Sequence, residues 1–179
     1  MQDEQLVIRC KNGNKDALRQ IYEKYKNDLL ILSIALLNNI GCAEDVVHDV
    51  FTRFIRDIER FELTGSLRSY LLTCAANCAR NINKAKHQQG VEITPAEPVE
   101  KDSAEPVNSI VCNEQLHQLI NAMTQLPYDQ REAIILHFQA GMTFEKIAEQ
   151  QEISVNTIKS RYRYGIEKLR SILGEKAKK

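Results

Sequence analysis

The stretch that decides the fold is "TFEKIAEQQEISVNTIKSRYRYGIEKLR", residues 143–170 of a 179-residue chain. It predicts a short helix, a tight turn and a longer helix, because Thr143 and Ser154 are good N-caps where each helical pattern begins. The longer helix repeats its inner apolar side chains at steps of three and four, at Val155, Ile158, Tyr162, Ile166 and Leu169. This layout is typical of a helix-turn-helix, which presents its second helix to the major groove of DNA.

The outward side of the second helix carries hydroxyl, amide and basic groups. Its candidate DNA-binding residues are Ser154, Asn156, Thr157, Lys159, Ser160, Arg161, Arg163 and Tyr164. Amide and guanidinium groups can pair with base edges, and hydroxyl and basic groups can bind phosphates. From residue 154 to the last residue, eight side chains are basic and two are acidic. Charge alone would also fit a solvated surface helix, and the helix-turn-helix spacing favours nucleic-acid binding.

Upstream of this unit the composition changes abruptly. The stretch "QQGVEITPAEPVEKDSAEPVNS", residues 88–109, contains three of the four prolines and five acidic residues, with few apolar side chains to bury. It predicts a flexible acidic linker over residues 88–110. We therefore expect an all-α fold of two small domains, an N-terminal helical domain over residues 1–87 and a C-terminal helix-turn-helix domain over residues 111–179.

Three amphipathic helices are predicted in the N-terminal domain, since no run of alternating apolar and polar residues suggests a strand. The first follows Asn14 as its N-cap and ends near "NNIG". The second is "AEDVVHDVFTRFIRDIERF", with Glu44 and Asp45 expected in its first turn, where the helix dipole favours negative charge. The third carries Leu67 and Leu71 at the start of its apolar side. In the C-terminal domain, "DQRE" predicts a capping box of Asp129 and Glu132, and Gly141 is expected to end the helix that follows.

Two polar faces of the N-terminal domain are candidate binding surfaces. Residues 63–91 contain no acidic side chain, and the third helix and the turn leading to it carry Arg68, Tyr70, Asn77, Arg80, Asn81 and Lys84. This face could follow a nucleic-acid backbone or stack unpaired bases, and a solvated basic face is the equally balanced alternative. The second helix exposes Glu44, Asp45, His48 and Asp49, which would repel DNA and suit a basic protein partner. From the residues alone, favourable charge in the first helical turn is the preferred explanation of this face.

Other function classes find little support in the sequence. The N-terminus is acidic and lacks a long apolar run, so we expect a cytoplasmic protein. The five cysteines lack the spacing of a zinc site, and Cys74 and Cys78, one helical turn apart, fit a buried apolar stripe better than a metal or redox pair. The four histidines lie in separate segments and no phosphate-binding glycine loop is present. We therefore expect no catalytic residues, metal, cofactor or small-molecule substrate.

Taken in order, four stretches of the chain resemble the two conserved domains of extracytoplasmic-function (ECF) sigma factors of bacterial RNA polymerase. They are "GNKDALRQIYEKYKNDLL", "AEDVVHDVF", "RSYLLTCAANCAR" and "LPYDQREAIILHFQAGMTFEKIAEQQEISVNTIKSRYRYGIEKLR". The resemblance implies a transcription initiation factor that binds core polymerase, recognises promoters and helps to melt them.

The resemblance also implies a role for each surface. The "AED" helix, with Glu44, Asp45, His48 and Asp49, would dock on the clamp helices of the largest polymerase subunit. The helix around "AANCARNINK" would bind the minus-ten promoter element, and the helix-turn-helix would bind the minus-thirty-five element. The acidic linker would thread the RNA-exit path, and an anti-sigma factor, often membrane-bound in this family, would regulate the protein.

Some residues depart from the family pattern. His48 stands where the family usually has Gln, Tyr70 where it usually has Trp, and Asn81 and Lys84 where Asp and Arg are common. The alternative interpretation is a stand-alone dimeric helix-turn-helix regulator, which would bind palindromic sites without polymerase.

Overall fold

The computed structural model describes residues 2–88 and 114–176, and the regular secondary structure in these ranges is entirely helical. The all-α prediction is therefore confirmed. In chain order the helices are α1 (Gln2–Lys11), α2 (Lys15–Leu37), α3 (Ile40–Arg56), α4 (Leu67–Gln88), α5 (Glu114–Thr124), α6 (Tyr128–Phe138), α7 (Phe144–Gln151) and α8 (Val155–Lys176).

Helix α2 is the centre of the N-terminal half, where it packs against α1, α3 and α4. It begins as predicted after Asn14, whose Oδ1 accepts a hydrogen bond from the Ala17 amide at 2.9 Å. It ends at Leu37, and Asn38 follows in the left-handed region with φ of 53°. Its buried face includes Ile21 and Leu29, both with no exposed surface. This long apolar face fixes the positions of the three surrounding helices.

Helix α1 has no counterpart in the sequence prediction. Besides the buried Leu6 and Val7, a polar contact attaches it to α2. The Asp3 carboxylate accepts hydrogen bonds from Lys24 Nζ and from the Tyr25 hydroxyl, both at 2.6 Å. Ten residues with so few apolar side chains give a weak helical pattern, so this helix depends on its tertiary contacts.

Helix α3 begins earlier than the sequence suggested. Asn39 is its N-cap, and the Asn39 Oδ1 accepts a hydrogen bond from the Cys42 amide at 2.8 Å. Glu44 and Asp45 therefore lie in the second turn, and the prediction that they occupy the first turn is wrong. Because the dipole acts mainly within the first turn, it no longer accounts for these two carboxylates.

The predicted capping box at the start of α6 is also wrong. The N-cap of α6 is Pro127, which makes no side-chain capping bond. Asp129 instead pairs with Arg161 on α8, and Glu132 pairs with Arg80 on α4. Both carboxylates find stronger, charged partners in the tertiary structure than the backbone amides of their own helix. The predicted end of this helix is confirmed, since Gly141 has a φ of +68° just beyond it.

The predicted helix-turn-helix is confirmed as α7 and α8. The Thr143 Oγ1 accepts a hydrogen bond from the Lys146 amide at 3.3 Å, and the Ser154 Oγ accepts one from the Thr157 amide at 3.1 Å. Ile158 has no exposed surface and Leu169 is 9% exposed, so the predicted inner face of α8 faces the core. Helix α8 packs against α5, α6 and α7, which leaves its opposite side exposed.

The N-terminal and C-terminal halves touch each other. Helices α5 and α6 contact α2, and α6 also contacts α4. An apolar cluster of Ile34, Ala43 and Ile120 crosses this contact. Of the predicted linker, only Gln88 belongs to the described residues, and the domain boundaries stay predictions.

Candidate nucleic-acid and partner interfaces

Most candidate residues of α8 lie on its free side. Ser154, Asn156, Thr157, Lys159, Arg163 and Tyr164 are exposed, whereas Ser160 and Arg161 are half-buried. The Arg163 guanidinium carbon lies 4.9 Å from the centre of the Tyr164 ring, a cation–π distance. Hydroxyl, amide and basic groups are thus presented together at the first turns of α8, where the helix N-terminus adds partial positive charge toward an anion.

Arg161 was expected to point outward from α8, but it is half-buried. Its Nη2 lies 2.7 Å from the Asp129 carboxylate on α6, and its Nη1 donates to the Gln151 side-chain oxygen at 3.2 Å. The difference arises because α6 passes beside the helix-turn-helix and offers a carboxylate that the sequence pattern had assigned to capping. The structure therefore brings Arg161 close to the exposed set and gives it a partner within the chain.

The candidate residues of α4 divide into an exposed group and a covered group. Tyr70, Asn81 and Lys84 are exposed. The Tyr70 ring lies 4.7 Å from the Phe61 ring between their centres, which fixes its orientation. Burial, with a contribution from Cys74, raises the pKa of Tyr70 to about 12. Its phenol is therefore neutral at physiological pH and offers an aromatic face that a base could stack on.

Arg68, Asn77 and Arg80 form the covered group, since they contact the C-terminal half, and the Arg68 side chain is the least covered of them at 41% exposed. Arg68 donates to the Asp28 carboxylate at 2.6 Å and to the Gln139 carbonyl oxygen at 2.8 Å. Asn77 accepts a hydrogen bond from Gln150. The sequence predicts Asn77 and Arg80 on an open face, and the structure differs because side chains of α6 and α7 contact these two residues.

Glu132 is the most deeply buried carboxylate at this contact. It is 2% exposed, and its Oε1 accepts hydrogen bonds from Arg80 Nε at 2.9 Å and from the Tyr128 hydroxyl at 3.1 Å. Gln151 donates to its other oxygen at 3.0 Å. Burial raises the pKa of the Glu132 carboxyl, and the Arg80 guanidinium opposes this shift. No local signal could have identified this network, because Arg80 and Glu132 are 52 positions apart.

The acidic face of α3 is open. Glu44, Asp45, His48 and Asp49 are all exposed, and none of them pairs with another described residue. Positions 44, 45, 48 and 49 lie one turn apart in pairs, so the four side chains share one side of the helix. Unpaired carboxylates at this density favour a cationic partner outside the chain.

A groove of ≈ 630 Å³ adjoins this acidic face between α2 and α3. Leu18, Tyr22, Val47, Phe51 and Ile55 give it an apolar floor and walls, and Lys15, Arg19 and Lys26 also line it. Tyr22 is 40% exposed and Ile55 is 44% exposed. Exposed apolar surface beside unpaired charge is a common feature of protein-binding sites.

Cys74 and Cys78 pack with the core. Cys78 is buried and Cys74 packs against the main apolar cluster, as the stripe interpretation expected. Burial raises the pKa of both thiols, which lowers their reactivity. Between residues 2 and 88 and between 114 and 176, no helix has the length and apolarity needed to cross a membrane.

Comparison with known proteins identifies two family domains in this chain. The family described as Sigma-70 region 2 matches residues 21–87, and the family described as Sigma-70, region 4 matches residues 116–169. The RNA polymerase sigma factor CarQ of Myxococcus xanthus is 30% identical over 170 residues, which cover 93% of this chain and 95% of CarQ. The ECF RNA polymerase sigma factor SigW of Bacillus subtilis is 27% identical and covers 93% of this chain and 94% of its own length.

A similar fold occurs in a solved complex. The sigma factor RpoE from Bartonella quintana, crystallised with the anti-sigma factor NepR, superimposes with a TM-score of 0.61 and 25% identity. The match covers 90% of this chain and 98% of that protein. The chain belongs to the extracytoplasmic-function sigma factors, which are transcription initiation factors. The alternative of a stand-alone dimeric regulator is not supported.

Proposed function

We propose that the protein binds core RNA polymerase through the acidic face of α3 and reads promoter DNA through α4 and α8. Under this proposal Glu44, Asp45, His48 and Asp49 contact the clamp helices of the largest polymerase subunit. The observation that carries the proposal is the charge segregation between these surfaces. An unpaired acidic face lies on α3, while the free side of α8 displays basic, amide and hydroxyl side chains. The curated relatives are named as RNA polymerase sigma factors, which supports a polymerase partner.

The two DNA surfaces have different tasks in this proposal. The exposed residues of α8, together with Ser160 and Arg161, recognise the minus-thirty-five element as duplex in the major groove. Tyr70, Asn81 and Lys84, joined by Arg68, Asn77 and Arg80, bind the minus-ten element and capture bases from its melted strand. Unstacking costs a few kcal/mol per base, and aromatic stacking with backbone contacts offsets that cost. The chain itself catalyses no reaction and acts in the cytoplasm.

An anti-sigma factor is the proposed regulator. The structural relative RpoE was crystallised with the anti-sigma factor NepR. The groove between α2 and α3 lies beside the proposed polymerase-binding residues, so a protein seated there would compete with polymerase. The family resemblance leads us to expect a regulator that is often membrane-bound in this family.

The polymerase contact is tested by charge reversal. Asp45→Lys with Asp49→Lys should reduce affinity for purified core polymerase at least about a hundredfold, since two attractive contacts become repulsive. The matched control is Glu59→Lys with Glu62→Lys, the same change of charge at two exposed positions after α3. Equal losses in both double variants, or full affinity in the α3 variant, would refute the assignment of this face.

A further inference from the structure

Two residues of the C-terminal half hold the Arg161 guanidinium, each from a different helix. The Asp129 carboxylate on α6 lies 2.7 Å from the Arg161 Nη2. The Gln151 side-chain oxygen, at the end of α7, accepts a hydrogen bond from the Arg161 Nη1 at 3.2 Å. These contacts fix both ends of a planar fork that otherwise rotates on a long flexible side chain. Arg161 therefore has one preferred direction before it meets DNA.

Gln151 is itself fixed, so the arrangement is more than a surface ion pair. Its Nε2 donates to the Glu132 Oε2 at 3.0 Å, which leaves its Oε1 to face Arg161. Glu132 is 2% exposed, and the Tyr128 hydroxyl donates to its other oxygen at 3.1 Å. A buried carboxylate thus sets the orientation of the amide, and the amide sets one side of the guanidinium.

Arg161 lies at the edge of the exposed side of α8. Its side chain is 28% exposed, and positions 157 and 164, about one turn away in either direction, are exposed. A guanidinium has five N–H groups, so the contacts with Asp129 and Gln151 leave donors for a ligand. In the major groove, the O6 and N7 edge of guanine is the group that matches a guanidinium fork.

We propose that Asp129 and Gln151 are positioning residues for Arg161, and that Arg161 held in this way selects a guanine in the minus-thirty-five element. This inference rests on the proposed function, because it concerns the same surface of α8. A freely rotating arginine can pair with any nearby phosphate, whereas a held arginine reaches only a base edge in the matching place. Specificity at that base pair then depends on α6 and α7 as well as on α8.

The charge of Asp129 separates positioning from a general effect on DNA binding. Its side chain is 55% exposed beside the proposed DNA surface, so its carboxylate repels phosphates. If repulsion were its whole effect, Asp129→Asn would strengthen binding to every duplex alike. The proposal instead expects equal or tighter binding to duplexes of unrelated sequence, together with weaker discrimination at one base pair.

The test uses the full chain with sigma-free core polymerase and a random-sequence DNA duplex library. Sequencing the bound duplexes gives the base preference at each position of the enriched motif. Arg161→Ala should lower the preference for guanine at one position about tenfold, as expected for a lost bidentate pair. Asp129→Asn and Gln151→Ala should each lower it about fivefold at that same position, since each removes one contact to the guanidinium. Asp129→Glu keeps the carboxylate and should retain more of the preference than Asp129→Asn.

Asp57→Asn is the matched control. Asp57 is 59% exposed and pairs with Arg56 at 3.2 Å, outside the C-terminal half. This variant should leave every base preference unchanged. Adding Asp129→Asn to Arg161→Ala should cause no further loss at the guanine position, because a positioning residue acts only through the residue that it positions.

The outcomes distinguish this inference from the proposed function. Equal weakening of the preference at all positions in Asp129→Asn would overturn the inference, because Asp129 would then only hold α6 against α8. Full retention of the guanine preference in both Asp129→Asn and Gln151→Ala would also overturn it. Neither result affects the proposed function. If the wild-type protein with core polymerase enriched no sequence at all, promoter recognition by α8 would fail, and the inference would fail with it.

Discussion

Gly165 of α8 lies so close to Ile134 of α6 that a Cβ atom at Gly165 would stand 2.8 Å from the Ile134 Cδ1. The same Cβ would lie 3.2 Å from the Gln130 Cβ and 3.3 Å from the Gln130 carbonyl oxygen. The absence of a side chain thus sets how closely α8 can approach α6. This approach positions the recognition helix, because α6 is one of the three helices that support it.

Gly165→Ala is therefore expected to destabilise the protein. The added methyl overpacks the α6–α8 contact and outweighs the better helix propensity of alanine, with a net loss of about 1–3 kcal/mol in the free energy of unfolding. Urea unfolding followed by circular dichroism measures the change. Gly174→Ala is the matched control in the same helix, since a Cβ there meets nothing within 4 Å. A Gly165→Ala protein as stable as the Gly174→Ala protein would contradict the close packing.

Lys159 and Arg163 are exposed basic residues on the free side of α8. Replacing both tests whether this side of α8 binds duplex promoter DNA. Lys159→Ala with Arg163→Ala should weaken promoter binding and lower the slope of log affinity against log salt by about 2, since two phosphate contacts are lost. The control is Lys168→Ala with Arg170→Ala, which replaces two exposed basic residues farther along α8. An equal drop of the slope in the control would show that the first turns of α8 have no special role.

Tyr70 tests base capture by the N-terminal half. Tyr70→Ala should weaken the binding of single-stranded promoter DNA to the polymerase complex by about 1–3 kcal/mol, the usual contribution of one base stacked on an aromatic ring. Tyr70→Phe keeps the ring and its contact with Phe61, and it should bind DNA nearly as the wild type does. If the phenylalanine variant lost as much affinity as the alanine variant, the hydroxyl and not the ring would carry the contact.

Asp3 gives the stability of α1 a defined pH dependence. Burial alone would raise its pKa, but the hydrogen bonds from Lys24 and Tyr25 hold the pKa of Asp3 below its usual value. A lowered pKa in the folded state means that the stabilisation is present above the usual carboxyl range and is lost as pH falls through the lowered pKa.

Asp3→Asn should therefore cost about 1 kcal/mol or less at neutral pH, and the two proteins should converge in acid. Urea unfolding at a series of pH values measures this difference. Glu59→Gln, at an exposed position in the turn after α3, is the control. A difference between wild type and Asp3→Asn that persisted unchanged in acid would rule out the ion pair as its source.

The predictions from sequence succeeded where a short stretch of chain determines the structure. Asn14, Thr143 and Ser154 cap their helices as predicted, because an N-cap needs only a backbone amide two or three residues away. The apolar repeat of α8 correctly identified its inner face, and the free side followed from it.

The failures share a physical cause. Glu132 was expected to cap its own helix, but Arg80, 52 positions earlier, offers it a charged partner. Asn77 and Arg80 were expected on an open face, and only the packing of the two halves shows that side chains of α6 and α7 contact them. Helix α1 was missed because its attachment depends on Asp3 reaching side chains of α2. Long-range pairing leaves no periodic trace in the sequence.

The most direct test of the central claim is run-off transcription. Purified protein is added to sigma-free core polymerase and a library of promoter fragments from the same bacterium. We expect promoter-specific transcripts that require the protein, and we expect Asp45→Lys with Asp49→Lys to abolish them. Tight DNA binding by a dimer without core polymerase, together with no transcript when core is present, would contradict the account.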